Sequence, residues 1–504
     1  MALSLLLVPP LIGGVLLLLV LRGAPARLCG AVAALAAALS LVGAVLVSTG
    51  RPRIDTAWVP SLGLRWSFAV DGIAIPLILL TAALTLLVVL HSRGVEPPGG
   101  TPATFYGAIL LTSFGALATF TVRDAIGFYI AFELVLVPMW VLIGRFGDEH
   151  APAAVRTDAA NRFLLFTVTG SAFLLVGLIL LVTLTGTSNL DQLAAAAGSS
   201  LSHGQQVLLA VLLVAGMAIK VPLWPVHTWL PPAHSTAPTA GSVLLAAILL
   251  KMGTYGLVRV AIPVVPDGFA TIAPYLAVLA VVGIIWAGLA CLVERDLKRL
   301  VAYSSVAHMG FVVLGLSSGT QTGMQAALFG NIAHGVVSGL LFMVVGRLKS
   351  QWHTADLESV PRALRELSPR YGFALVVGFA AALGLPGLIG FWGEVLSVYS
   401  AWTAAASRPS GLFQVCAVVA AIGMALAAGY SLRVLRQVWA GEAASTEGSA
   451  ADPARDVSGV EWAVVAAMVA AIVLGGLLPA PVLATTGDDV ARLLTASSTA
   501  GGMP

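Results

Sequence analysis

Six side chains of types that exchange protons fall inside apolar runs of this sequence. Glu133 sits in FYIAFELVLVPMW, Lys220 just before Pro222, Lys251 in LLKMGTYG and Glu394 in FWGEVLSVY. His308 lies in SSVAHMG and His334 in NIAHGVVSG. A charge at the centre of a bilayer costs about 2.5–3.5 kcal/mol on insertion scales, and such residues usually line a polar path. A static ion pair gluing helices together is the bland reading of any one of them. Four together argue for transfer. A Lys–Glu pair in low dielectric is a switch: beside an ionised Glu133, Lys220 keeps its proton, and on separation desolvation drives it off. Lys251 can then take the proton and pass it by way of His308 and His334 to Glu394, since an imidazole both accepts and donates near neutral pH. A haem held by the two histidines has no support beyond their presence. His227 and His234 flank the WLPP turn and read as loop residues with a weaker claim. Asp71, Asp124 and Arg145 fall near block ends and read as interfacial.

Usage of basic residues sharpens the choice. Of 26 Lys and Arg, only Lys220, Lys251, Lys298 and Lys349 are lysine. Lysine can shed its proton when desolvated and arginine effectively cannot. A chain that prefers arginine elsewhere keeps lysine at two places inside apolar blocks. Lys251 is about 21 Å along its helix at 1.5 Å per residue, within a hydrocarbon core about 30 Å thick.

The elements that must position these groups are transmembrane helices. The chain has 504 residues, 59% hydrophobic and 10% charged, with a mean hydropathy of +0.97. That composition excludes a soluble globular enzyme, where about 25% charge is usual. Fourteen apolar blocks can be marked, at 3–21, 28–49, 69–91, 104–121, 124–143, 162–184, 206–225, 237–260, 271–292, 299–318, 325–346, 371–403, 411–435 and 460–482. The first lacks a basic n-region and reads as a span, not a signal peptide. Cys29, Cys291 and Cys416 are far apart, which leaves no cysteine zinc site, iron–sulfur cluster or disulfide framework. No phosphate-binding glycine motif is visible. A net charge of +3, dispersed over loops, gives nucleic acid nothing to bind.

Proline marks two broken helices, the seventh at Lys220-Val221-Pro222 and the twelfth at Gly384-Leu385-Pro386-Gly387. They lie five blocks apart. An odd offset reverses orientation, the pattern of an inverted repeat with its transport site at the midplane. The expected organisation is an all-α polytopic membrane protein of about fourteen helices. Residues 1–103 form a three-helix segment, and 104–260 and 261–438 are inverted five-helix repeats (blocks 4–8 and 9–13), each a half-channel. Residues 439–504 are a loop and a C-terminal helix. Lys and Arg outside the spans divide 17 to 7 in favour of one face, with Lys220 and Lys251 making up the 26. By the positive-inside rule, both termini face outside.

The stretches HTWLPPAHSTAPTAGSVLLAAILLKMGTYGLVR (227–259), ERDLKRLVAYSSVAHMGF (294–311) and LGLPGLIGFWGE (383–394) closely resemble the antiporter-like subunits of respiratory complex I. KMGTYG at 251–256 and the acid at Glu394 resemble its M-type chains, because the sister chains L and N carry lysine at the place of Glu394. The resemblance spans essentially the whole chain. It implies a proton-translocating subunit of NADH-quinone oxidoreductase in a bacterial inner membrane, with Glu133, Lys220, Lys251 and Glu394 as channel residues and His308 and His334 between them. It also implies that no cofactor is held here, with FMN, iron–sulfur clusters and quinone on partner subunits, and that the partners include chains L and N. Pro232 and Thr236 depart from the family, which usually has Asp and an acidic residue there. The competing expectations are a subunit of a multi-subunit cation/proton antiporter, against which Glu394 speaks, and a structural membrane subunit without flux.

Overall fold

The computed structural model describes residues 1–59, 64–93, 97–360, 363–441, 456–457 and 459–500, omitting the side chains of 197–199 and 496–500. The helices are α1 Ala2–Leu19, α2 Ala26–Gly50, α3 Ile75–His91, α4 Pro102–Thr121, α5 Ala125–Arg145, α6 Ala153–Thr185, α7 Leu190–Ser200, α8 His203–Lys220 and α9 Leu230–Thr236. They continue as α10 Thr239–Val264, α11 Pro266–Val293, α12 Leu297–Ser317, α13 Gln321–Trp352, α14 Pro369–Ala382, α15 Ile389–Trp402, α16 Ser410–Trp439, α17 Gly459–Leu477 and α18 Ala480–Ala500. Among the described residues, 12 are long and apolar enough to cross a membrane. With the shorter α3 and the split pair α14/α15 they match the fourteen blocks.

The helix starts follow from local chemistry. Asp124 caps α5 by accepting from the backbone N–H of Ile126 and Gly127, and Asp296 caps α12 through Arg299 N–H. Ser202 and Gln205 form a capping box at α8. These side chains satisfy amides that have no partner within the helix. Both proline-marked breaks are present. α8 ends at Lys220, and the chain resumes as the short α9. α14 ends at Ala382, and six residues separate it from α15.

Burial differs sharply between helices. α10 is wholly enclosed, and α12 and α13 nearly so, while α1, α6, α16 and α17 expose wide apolar faces. α13 runs beside α10, α12 and α15, which makes it the shared wall between the two parts of the chain. A path through the protein must therefore cross α13.

Two local expectations are corrected. The connection after α2 contains an antiparallel hairpin, β1 Arg53–Val59 and β2 Leu64–Ala69, pairing Arg53 with Ala69 and Thr56 with Trp66. The last block stops at Leu477, because Pro479 and Pro481 interrupt the backbone ladder, and the separate helix α18 follows. Residues 439–504 therefore hold two helices. Asp489 of α18 accepts from Gly72 N–H at 2.7 Å and pairs with Arg51 at 3.5 Å. These contacts place α18 at the hairpin end of the bundle.

Candidate proton-transfer site

In α5, Glu133 lies just before a kink at Val135 and accepts a 2.5 Å hydrogen bond from Ser171 Oγ on α6. Lys220 closes α8 and is buried. Its Nζ has no hydrogen-bond partner among the described residues, and sits 4.4 Å from the centre of the Phe132 ring. The expected close Glu133–Lys220 pair is thus not formed. Ser171 holds the carboxylate from one side, and the ring next to it takes the ammonium through its π face. Trp229 Nε1 donates to Ile219 O at 3.0 Å, so one carbonyl freed at the end of α8 is satisfied beside Lys220.

In α10, two π-helical turns, Leu245–Leu249 and Leu257–Ala261, bracket the segment that carries Lys251. Such turns interrupt the regular i→i−4 ladder and recur at functional sites. Lys251 is fully buried. Its Nζ donates to Ala246 O at 2.8 Å and is in direct contact with His334 Nδ1 across the helix interface.

From His334 on α13 the line continues through a ring-to-ring step and an ion-pair contact. The His334 and His308 rings are 5.7 Å apart. His308 Nε2 lies 3.1 Å from Glu394 Oε1 and 2.9 Å from Ala382 O, the last residue of α14. His308 Nδ1 meets Ser304 O at 2.6 Å, and Ser304 Oγ meets Tyr430 Oη at 2.8 Å. A cavity of about 30 Å³ is lined here by Ser304, Ser305, His308, His334, Ser338 and Glu394. That is room for about two waters. The order along the track is therefore Lys251–His334–His308–Glu394, a reversal of the two histidines expected from chain order. α13, not α12, lies against α10, and so its histidine comes first.

The break between α14 and α15 gives Glu394 its place. Gly384 has φ +74°, and a Cβ on it would come 2.6 Å from Glu394 Oε2. Only glycine combines that backbone with that approach.

Other groups were missed or misplaced by sequence reasoning. His227 lies in the turn before α9, as expected, whereas His234 is within α9, and both are buried. His234 stacks on Phe342 with centroids 4.4 Å apart, and neither of its ring nitrogens has a partner. Lys298 is buried beneath it, donating from Nζ to Ala237 O at 2.7 Å. The preference for arginine elsewhere in the chain was a usable signal for Lys298, as it was for Lys220 and Lys251. A cavity of about 250 Å³ reaches Lys298 and is also lined by His91, Asp148, Arg347, Lys349 and Glu461. Lys349 pairs with Asp148 at 2.6 Å. Burial pushes the Asp148 carboxyl up, but the hydrogen bond and charge of Lys349 outweigh it and hold the group below the usual carboxylate range.

At the opposite end, Asp71 is no simple interfacial acid. It takes Arg123 Nη2 at 2.8 Å and is also in contact with Arg259 Nη2. Burial raises the Asp71 carboxyl, yet the two guanidiniums hold it well below the usual range. Asp124 is buried too, accepting from Arg65 N–H at 3.2 Å and from Ser188 Oγ. Arg145 remains exposed, as expected. Among the described residues, no three His, Cys, Asp or Glu side chains converge as a metal site.

Residues 122–423 match the family described as NADH:quinone oxidoreductase/Mrp antiporter, transmembrane. NADH-quinone oxidoreductase subunit M of Rhodobacter capsulatus is 35% identical over 87% of this chain and 84% of its own length. The chain belongs to the subunit M family of NADH-quinone oxidoreductase. A chain of respiratory complex I from Thermus thermophilus superposes with a TM-score of 0.86 at 29% identity, covering 99% of this chain and 100% of that one. A chain of the Mrp complex from a Dietzia species reaches a TM-score of 0.83 at 24% identity, over 99% of this chain and 52% of that one, and shows the same fold. The family match runs from the link before α5 to α16, so all six candidate groups of the subunit M chain lie inside it.

Proposed function

We propose that this chain is a proton-translocating membrane-arm subunit of NADH-quinone oxidoreductase that moves protons from inside to outside. Quinone reduction on partner subunits drives it. The relay is Glu133, Lys220, Lys251, His334, His308 and Glu394. Sister antiporter-like chains L and N flank it in the membrane arm, and FMN, iron–sulfur clusters and quinone belong to other subunits.

The observation that carries this reading is the line Lys251–His334–His308–Glu394, formed by four different helices, with direct contacts at its two ends and a 5.7 Å ring-to-ring step between the histidines. Helices glued by a static ion pair need two such groups, not four in series. The unpartnered buried atoms support it as well. Lys220 Nζ, both His234 nitrogens, His334 Nε2 and Asn331 Nδ2 lack a hydrogen-bond partner among the described residues, and all lie on or beside the line. Buried polar groups are almost always hydrogen-bonded, so these are the positions that water must occupy along the track.

The switch begins with Glu133 and Lys220 separated. When Glu133 leaves Ser171 and reaches Lys220, the ammonium is stabilised. When it returns, the ammonium is left on the Phe132 face alone and gives its proton toward Lys251. The side chain of Lys220 lies against Gly253, two residues along α10 from Lys251. The wide cavity at Lys298 and Asp148 is the entrance, since it opens at the end rich in Lys and Arg. Glu394 is the exit.

The decisive experiment is NADH-driven proton uptake by vesicles holding the assembled complex, with and without Lys251→Ala. The variant should lower the protons moved per NADH oxidised, or stall both together. An assembled Lys251→Ala complex with the parental ratio and rate would sink the relay.

A further inference from the structure

Among the charged groups that the relay leaves unused is the cluster of Asp71 with the buried Arg123 and Arg259. Arg259 is on α10, eight residues beyond Lys251, about 12 Å along the axis. Arg123 comes from the link between α4 and α5. Both are buried, and both put a guanidinium nitrogen on the single carboxylate of Asp71. Arg123 Nε and Nη1 and Arg259 Nε have no partner among the described residues. Two cations thus share one anion, and one positive charge is left over. A salt bridge needed only to join helices would use one arginine.

The surroundings show what this excess charge faces. A cavity of about 240 Å³ beneath α18 is lined by Asp71, Asp191, Arg259, Pro263, Asp489 and Arg492. It is a solvent vestibule over the end of α10 with carboxylates at its mouth. Asp191 and Asp489 are matched there by Arg53, Arg51 and Arg492. Inward of Arg259, Tyr255 donates to Phe120 O at 3.0 Å and packs edge-on against the Phe120 ring. Lys251 lies past that ring. A guanidinium cannot release its proton, so neither arginine can serve as a stepping stone. A fixed positive charge in a narrow polar opening repels hydronium and metal cations.

We propose that Arg123 and Arg259, clamped on Asp71, form a fixed positive barrier that closes the α10 end of the path to protons and metal cations from the outer vestibule, so that Lys251 exchanges protons only with its inner neighbours and His334. This rests on the relay reading of Lys251. A leak at this point would let the gradient run back through the same lysine that pumping uses.

The test is passive proton flux without NADH, in vesicles holding the assembled complex under an imposed pH gradient. Arg123→Gln is the first variant, because Asp71 keeps Arg259 as its counter-charge and assembly is least disturbed. Arg492→Gln, which removes an exposed charge lining the same vestibule, serves as the control. Removing one unit charge a few ångströms from the opening, at an effective dielectric near 20, should raise the flux by about tenfold or more. Arg492→Gln should stay tight, and adding Lys251→Ala to Arg123→Gln should abolish the leak. An assembled Arg123→Gln complex as tight as the parent would overturn the barrier, as would a leak that survives Lys251→Ala. The relay reading fails separately, if Lys251→Ala alone leaves NADH-driven pumping unchanged.

Discussion

Two glycines in the break between α14 and α15 allow the position of the Glu394 carboxylate to be tested apart from backbone strain. Gly384 and Gly387 have φ +74° and +91°, both in the left-handed region. Alanine at either position carries a similar strain, about 1–3 kcal/mol. Their surroundings differ. A Cβ at Gly387 meets nothing nearer than Leu477 Cδ2 at 4.0 Å, whereas one at Gly384 falls 2.6 Å from Glu394 Oε2. To restore ordinary van der Waals contact the carboxylate must retreat by about 0.8 Å. It now stands 3.1 Å from His308 Nε2. A shift of that size at Oε2 must disturb the ion-pair approach of Oε1, on the same carboxylate, to His308. Misplacement of a reacting group by about 1 Å can cost roughly 10²-fold in rate. Gly384→Ala should therefore slow NADH-driven acidification of inverted vesicles by tenfold or more, and Gly387→Ala should stay within about twofold of the parent. Both should show a similar drop in thermal stability of the purified complex. If the two variants lose pumping equally, the loss comes from backbone strain, and the 3.1 Å contact is not a step of the path.

Glu394→Gln keeps shape but cannot exchange a proton, so pumping should stop in an assembled complex; Glu394→Lys, which imitates the sister chains, should retain part of it. Full pumping by the glutamine variant would move the exit elsewhere. Glu133→Ala or Lys220→Ala should greatly lower both pumping and the coupled quinone reductase rate, with some loss of assembly because one buried partner is left alone. Parental pumping by an assembled Lys220→Ala complex would reduce that pair to a structural role. Ser171→Ala frees Glu133 to settle on Lys220 and should slow turnover, with Ser171→Thr restoring it; an unchanged rate in the alanine variant would remove Ser171 from the switch. A reporter after residue 504 should read as external and one within 347–370 as cytoplasmic, and an internal C-terminus would mean a miscounted span.

What was legible in the sequence follows the range of the forces concerned. Helix-length apolar runs are local, and the blocks coincide with helices to within a few residues over most of the chain. The breaks at Pro222 and Pro386 were legible for the same reason, because a missing amide acts on its own turn. The hairpin was not. Arg53–Val59 is almost wholly exposed, so no apolar alternation marks it. α18 was hidden because Leu483 and the preceding prolines extend an apolar run past the true end of α17. Contacts between distant helices were beyond reach. Lys251 and His334 are 83 residues apart, and nothing in either segment says that α13 comes before α12 in the path. The residue types at Glu133 and Lys220 were readable, but the serine and the phenylalanine ring that keep them apart were not, since Ser171 and Phe132 are ordinary helix residues by sequence.

The charges themselves constrain how the proposed path can work. Lys220, Lys251 and Lys298 are buried, as are His234 and His334, while His308 is partly buried beside Glu394. Isolated ionised groups are costly in such surroundings. The protons on this line therefore belong to the set and not to single residues. A proton passed inward from Lys298 leaves Asp148 behind, and the carboxylate at the far end of the line is Glu394. Glu394 is beside His308, so a charge appearing on that histidine is answered within 3.1 Å. The acid there, where the sister chains have lysine, makes the last step attractive to an incoming proton until the next charge follows. Direction then needs only a barrier to return at the one other end that a proton on Lys251 could reach, and that end is where Arg123 and Arg259 stand.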